Sequence, residues 1–179
     1  MTKELDKLLE QLIKLHPRYI DLSLNRILKL LQKLDNPHLK LPPVIHIAGT
    51  NGKGSVLSYI LNILKENSYK NHAYISPHLS KFNERFLISN NIISTSKLVK
   101  ALKNIKEING QQPITFFEIT TAAAFYLFSK ERADFLILET GLGGRLDATN
   151  VITNSLIDII TPIGIDHQEF LGKKVINIS

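Results

Sequence analysis

The sequence predicts an α/β protein with a mainly parallel sheet. Short apolar runs at 44–48, 73–75, 135–138 and 156–160 alternate with longer stretches whose apolar residues recur at helical spacing. Polar or glycine-rich segments follow these runs at 49–55, 76–78, 139–147 and 166–167. In a parallel sheet such segments lie at the carboxyl ends of the strands, where ligands bind.

The elements read in order. Leu5, Leu8, Leu9, Leu12 and Ile13 give a helix over 3–15, with Thr2 as a cap. A second helix carries Leu24, Ile27, Leu28, Leu31 and Leu34, with Asp21 or Ser23 to cap it and Asn36-Pro37 to stop it. Pro42-Pro43 stiffens the approach to the buried strand 44–48. Helical spacing resumes over 56–66, and Ala73-Tyr74-Ile75 is the next strand. Phe86–Ile88, Asn90-Asn91 and Ile92-Ile93 form a hairpin. A helix over 96–108 is capped by Ser94, Thr95 or Ser96, and Gly110 to Pro113 break it. The helix at 115–130 is rich in Ala and aromatic residues and should be buried. Strands at 135–138 and 156–160 follow, with no internal repeat or low-complexity segment anywhere.

Composition narrows the function. A chain of 179 residues, 44% hydrophobic, can bury a core, and its length suits one domain or slightly more. No apolar run approaches the ~18 residues of a membrane span, and the N-terminus lacks a secretory apolar region. The absence of Cys excludes a disulfide scaffold, a Cys-zinc site and thiol catalysis. A cytoplasmic protein is expected. Residues 1–110 carry 17 basic and 8 acidic groups, whereas 111–179 carry 5 basic and 8 acidic ones. Without a Lys/Arg block or interleaved aromatic residues, the basic half reads as solvated helix faces, or as a field suited to an anionic small substrate, rather than a nucleic-acid surface.

Gly49-Thr50-Asn51-Gly52-Lys53-Gly54-Ser55 is the sharpest motif. Glycines let the backbone curl so that amides point at a phosphate, Lys53 supplies a mobile positive charge, and the following helix adds its dipole. The spacing departs from the usual G-x-x-x-x-G-K-[ST] loop, because Ile47 stands where the first glycine belongs and Gly54 follows the lysine. Glu139, at the end of an apolar strand, is the natural carboxylate for Mg²⁺; a capping or ion-paired Glu is the plainer reading. Ser76-Pro77-His78 reads alone as a turn, and a lone loop His such as His167 is a poor candidate for a hard cation. His46, inside a strand, reads as a core histidine. Arg85 could pair with a substrate carboxylate or with Glu84. Glu118 suits a helix first turn, and Arg145 and Asp147 could form a structural pair.

The stretch HIAGTNGKGSV resembles the nucleotide loop of the folylpolyglutamate synthase and dihydrofolate synthase family, in the Mur ligase superfamily, down to its variant spacing. YISPHL with FNERF at 74–86, TFFEITTAAAF at 115–125, LETGLGGRLDATN at 138–150 and IDHQEFLG at 165–172 agree in order, so the resemblance runs from about Ser23 to Gly172. It implies a P-loop-containing three-layer fold of Mur-ligase central-domain type, with a helical hairpin at 1–40 packed on a nucleotide-binding domain at 41–179. It also implies an ATP- and Mg²⁺-dependent ligase that joins L-glutamate to a folate or to dihydropteroate through an acyl phosphate. Family members are typically monomeric, with no nucleic-acid or membrane partner.

By the same resemblance Lys53, Glu139 and His167 are the catalytic residues and Gly49 to Ser55 bind the nucleotide. Ser76, Glu139 and His167 hold the metal. Ser23, Leu24, Asn25, Arg85, Thr115, Phe116, Phe117, Glu118, Leu146, Asp147 and Ala148 line the acceptor side. The family continues into a further strand region, a carbamylated lysine and a Rossmann-like domain. Lys173 and Lys174 lie too close to His167 to be that lysine, so the sequence reads as an incomplete ligase, expected not to turn over as it stands, whose apolar edge at 156–160 favours association. Another Mur-type ligase and a non-catalytic nucleotide-binding remnant are the alternatives.

Overall fold

A computed structural model describes residues 2–172. Lys173 and Lys174 lie outside the described residues. The elements are α1 (Thr2–Ile13), α2 (Asn25–Lys33), β1 (Val44–Ala48), α3 (Lys53–Glu66), β2 (Asn71–Tyr74), β3 (Phe86–Ile88), β4 (Asn91–Ile92), α4 (Thr95–Asn109), α5 (Phe116–Phe128), β5 (Phe135–Glu139), β6 (Ile157–Ile160) and α6 (Gln168–Leu171). One six-stranded sheet runs β4-β3-β2-β5-β1-β6. β2, β5, β1 and β6 are mutually parallel, and the β3–β4 hairpin is added antiparallel at the far side. The fold is the expected α/β layering, with the carboxyl ends of four parallel strands side by side.

The two faces of the sheet are covered unequally. α3 alone packs on one face, over Ile45, Ile47, Ala73 and Ile137. α1, α2, α4 and α5 build the larger core on the other, with α1 and α2 lying on α4 and α5. α5 is buried on nearly every side, and its fully enclosed Phe125 and Phe128 each contribute ~1.5–3 kcal/mol of burial. Among the described residues β6 is the edge strand on the parallel side. Leu156, Ile157 and Ile160 are 56%, 49% and 70% exposed, an apolar edge of the kind the sequence suggests.

Several boundaries differ from the sequence reading for identifiable reasons. α3 begins at Lys53 instead of 56, since its first turn faces outward and shows no apolar periodicity. β2 starts at Asn71, not Ala73, because two polar residues are buried in it and held by hydrogen bonds at the Asn71 side-chain amide nitrogen and at both His72 ring nitrogens, while Asn71 Oδ1 has no partner among the described residues. Asn71 Nδ2 donates to the Tyr69 carbonyl at 3.1 Å. His72 receives the Ser89 N–H at Nδ1 and reaches the Glu131 carbonyl from Nε2, both at 3.1 Å, while stacking on Phe128. Neither Asp21 nor Ser23 is the cap of α2. That position falls to Leu24 without a side-chain bond, because Asp21 is drawn into an ion pair with Arg26. Ser94 caps α4, and Thr115 with Glu118 forms a capping box at α5.

The partners of His72 fix one neutral tautomer, since Nδ1 must accept, and burial holds its pKa below the ordinary value. A histidine with a depressed folded pKa leaves the unfolded state binding more protons, so its contribution is present above ~6.5 and is lost as pH falls through that value toward the folded pKa. A His72→Gln variant should therefore be less stable than wild type at pH 7.5, with the gap narrowing toward pH 5.5. Urea midpoints at the two pH values check this; a gap that widens on acidification would contradict it.

Candidate functional site

The site is built at the carboxyl ends of β1, β5, β2 and β6. After β1 the chain turns through Gly49, at φ +134°, and Gly52, at φ +87°, into α3. Both values lie where a side chain is strained. Gly49 also sits against the loop after β6: a Cβ there would come within 2.8 Å of the Thr161 carbonyl oxygen. The amides of Thr50 and Asn51 both donate to the Pro162 carbonyl, at 3.1 and 3.3 Å, so they are engaged rather than turned inward. The amides open to an anion are those of the first turn of α3, which starts from a glycine and has no capping side chain. Lys53 Nζ donates to the Gly49 carbonyl at 2.7 Å. Gly49, Thr50 and Lys53 line a cavity of about 420 Å³, closed on its other sides by Ala48, Gly141 to Leu146, Ile160, Ile163, Asp166, His167, Phe170 and Leu171. Asn51, Gly52, Gly54 and Ser55 are exposed at its rim.

Glu139 is 4% exposed at the end of β5. Its Oε2 accepts the Ser76 backbone N–H at 3.0 Å. Burial pushes its pKa up, against the Ser76 bond and the fields of Lys53 and Arg85. Glu139 and Ser76 are thus in contact, on the same side of the sheet as Lys53. His167 is exposed and lines the cavity wall; its backbone N–H donates to Asp166 Oδ1 at 2.8 Å, its carbonyl accepts the amides of Phe170 and Leu171, and its ring Nε2 stands 3.8 Å from Asp166 Oδ2. Among the described residues no group of three His, Cys, Asp or Glu side chains is arranged to hold a metal.

A second cavity, about 160 Å³, adjoins the first. Ser23, Ser76, Arg85, Thr115, Phe116, Phe117, Glu118, Leu146, Asp147 and Ala148 line it. Leu24 and Asn25 do not: α2 begins there, Leu24 packs into the core, and Asn25 points to solvent. Of the two alternatives open to Arg85, the pair with Glu84 does not form. Glu84 instead accepts the backbone amides of Leu79, Ser80 and Lys81, and Arg85 donates from Nε to His78 Nδ1 at 3.1 Å and lies over the Phe82 ring. Arg145 and Asp147 do not pair either. Asp147 is buried and takes four donors: Thr149 N at 2.9 Å, Thr149 Oγ1 at 2.7 Å, Gly141 N at 2.9 Å and Leu142 N at 2.8 Å. The Thr149 hydroxyl, having given its proton to Asp147, accepts from His46 Nε2 at 2.8 Å, which makes His46 the core histidine expected of it. The segment after β5 is thereby tied to β1.

Sequence reasoning missed the segment Tyr19–Leu22, which walls the second cavity, and Phe170 and Leu171, which close the first. The signal available was the break at His16-Pro17 between two helical patterns, since long connections often carry function. Leu22, Gly141, Leu142, Leu146 and His167 belong to both cavities and form the wall between them.

No family model matches the chain. Among curated proteins, the dihydrofolate synthase/folylpolyglutamate synthase of Haemophilus influenzae is 42% identical over 171 residues, covering 96% of this chain and 38% of its own length. The corresponding Escherichia coli protein is 38% identical over 165 residues, covering 92% of this chain and 38% of its own. The chain therefore spans about two-fifths of the length of the curated relatives it matches. Of solved structures, E. coli FolC in complex with DHPP and ADP superposes with a TM-score of 0.90 at 37% identity, over 97% of this chain and 42% of that one. A bifunctional folylpolyglutamate synthase/dihydrofolate synthase with Mn, AMPPNP and L-glutamate bound gives 0.86 at 36% identity, over 97% of this chain and 42% of that one.

The Asp147 carboxylate makes its own prediction. Asp147→Asn replaces one acceptor oxygen by an amide donor facing N–H groups, at a position only 2% exposed. The cost should be about 3 kcal/mol of stability. A urea midpoint close to wild type would show that the four bonds are not what fixes the segment.

Proposed function

Over nearly all its length the chain is homologous to the dihydrofolate synthase/folylpolyglutamate synthase family, and we propose that it carries the nucleotide- and acceptor-binding part of an ATP-dependent ligase. The reaction joins the carboxylate of a folate or of dihydropteroate to the amine of L-glutamate through an acyl phosphate. One observation carries this reading: a cavity beside Lys53 and a glycine-rich strand-to-helix turn shares a wall with a cavity lined by aromatic residues and Arg85. Phosphoryl transfer depends on holding donor and acceptor in register and neutralising charge, which such an arrangement suits.

In this reading residues 41–179 form the nucleotide-binding domain and 1–40 a helical segment packed on it. The nucleotide phosphates rest on the first turn of α3 between Gly49 and Ser55, and Lys53 turns from the Gly49 carbonyl to a phosphate oxygen. Mg²⁺ commonly takes one or two carboxylates and fills its other positions with phosphate oxygens and water. A desolvated carboxyl such as Glu139 in contact with Ser76 fits a cation that arrives with the phosphates, and His167 stands on the wall beside it. The cation would neutralise charge on the transferring phosphoryl group. Ser23, Thr115, Phe116, Phe117, Glu118, Leu146, Asp147 and Ala148 enclose the acceptor's ring system, and Arg85 meets its negative charge. The ligase works in the cytoplasm as a monomer, without nucleic acid or membrane.

Titration calorimetry with ATP and Mg²⁺ tests the phosphate cradle. Lys53→Ala should weaken binding by ~1.5–3 kcal/mol, roughly tenfold to a hundredfold. An affinity equal to that of wild type in the folded variant would refute the assignment.

A further inference from the structure

The wall of the second cavity has a component with no regular structure of its own. Tyr19 to Ser23 contribute five consecutive residues to it, between α1 and α2. The Tyr19 ring stacks on Phe116 at 6.2 Å and 17° but is itself largely exposed, so stacking alone fixes it weakly. The strong bonds come from one side chain. Arg26 donates from Nη1 to Asp21 Oδ2 at 2.7 Å, from Nη2 to the Asp21 carbonyl, and from Nε to Glu118 Oε2 at 3.0 Å. Glu118 is in turn anchored by the Thr115 N–H at 2.7 Å, at the N-terminus of α5. Asp21 otherwise meets only His16 Nε2 at 3.6 Å and the exposed Arg18 at 3.8 Å.

We propose that Arg26, which lines neither cavity, is a positioning residue that clamps the Tyr19–Ser23 strap to the N-terminus of α5 and so sets the shape of the acceptor cavity. The inference rests on the reading of that cavity as the acceptor site. Three donors diverge from one rigid plane to reach a carboxylate and a carbonyl on the strap and a second carboxylate 92 residues away in sequence. A lysine at this position can hold one carboxylate but cannot span both. The strap residue Asp21 and the helix residue Glu118 both face the cavity, so their separation, which Arg26 fixes, is a dimension of the cavity itself.

Arg26→Lys keeps the charge beside Glu118 and so avoids leaving a buried carboxylate unpaired; Asp21→Asn weakens the strap end alone. Pteroate and ADP are the probes, each by calorimetry, alongside tryptic cleavage after Arg18, which reports strap order without any ligand. Both variants should weaken pteroate binding about tenfold or more, with ADP within about threefold, and both should speed cleavage after Arg18. Wild-type chain that binds ADP but not pteroate refutes the acceptor reading and this inference together. Wild-type chain that binds pteroate, with both variants unchanged in pteroate affinity and in cleavage, refutes the inference alone. Equal losses for pteroate and ADP would show a general structural role and also overturn it.

Discussion

The buried Asp147 carboxylate is the interaction on which the rest of the site depends. Placing a charge where it is 2% exposed is costly unless its lone pairs are filled. Here both oxygens are filled by two donors each, and two of those donors are the backbone amides of Gly141 and Leu142. Those amides lie in an irregular segment with no strand or helix to pair them, so carboxylate and loop satisfy each other. The Thr149 hydroxyl extends the network to His46 in β1. The segment that separates the two cavities is thus braced against the strand that leads into the glycine turn.

Topology explains why this one brace reaches so much. β1 lies between β5 and β6, so the turn after β1 is flanked by the segment after β5 and the one after β6. Gly49 is pressed against Thr161, and the amides of Thr50 and Asn51 hang on Pro162. Glycine at 49 therefore serves close approach as much as backbone curvature. The amides left open to an anion are displaced one turn onward into α3, where the helix dipole points the same way.

The regular elements were legible in the sequence because their signals are local. The Thr115 and Glu118 capping box, the Ser94 cap and the apolar runs at 44–48 and 135–138 each declare themselves within a few residues, while the hairpin turn falls at Ser89-Asn90 rather than at Asn90-Asn91. The side-chain pairings were less legible, and the failures share a cause. Arg85 beside Glu84, and Arg145 near Asp147, look like ion pairs when only sequence is read. In the fold each carboxylate is claimed by consecutive backbone amides of its own turn, which have no other partner. Those amides have nowhere else to turn, whereas the exposed Arg145 keeps its water and the buried Arg85 finds His78 and the Phe82 ring. The strap at 19–23 was invisible for the opposite reason: it has no periodicity, and the contact between Arg26 and Glu118 that orders it spans 92 residues.

Glu139 shows how the two cavities communicate. Its carboxyl feels Lys53 from the turn after β1, accepts an N–H from Ser76 after β2, and feels Arg85 from the loop before β3. Ser76 and Arg85 line the second cavity, and Lys53 the first. An anion that draws Lys53 away removes one field that lowers the Glu139 pKa, while desolvation continues to push it up. The remaining support is then the Ser76 amide and Arg85, both on the other side of the wall. A negative group bound against Arg85 competes for the same positive charge. Linkage makes this coupling reciprocal, so occupancy of either cavity alters the electrostatic cost of filling the other. Burial raises the Glu139 pKa while Lys53 on one side and Arg85 on the other lower it, so this one carboxyl at the end of β5 is the group through which the turn after β1 and the pocket beside β3 feel each other.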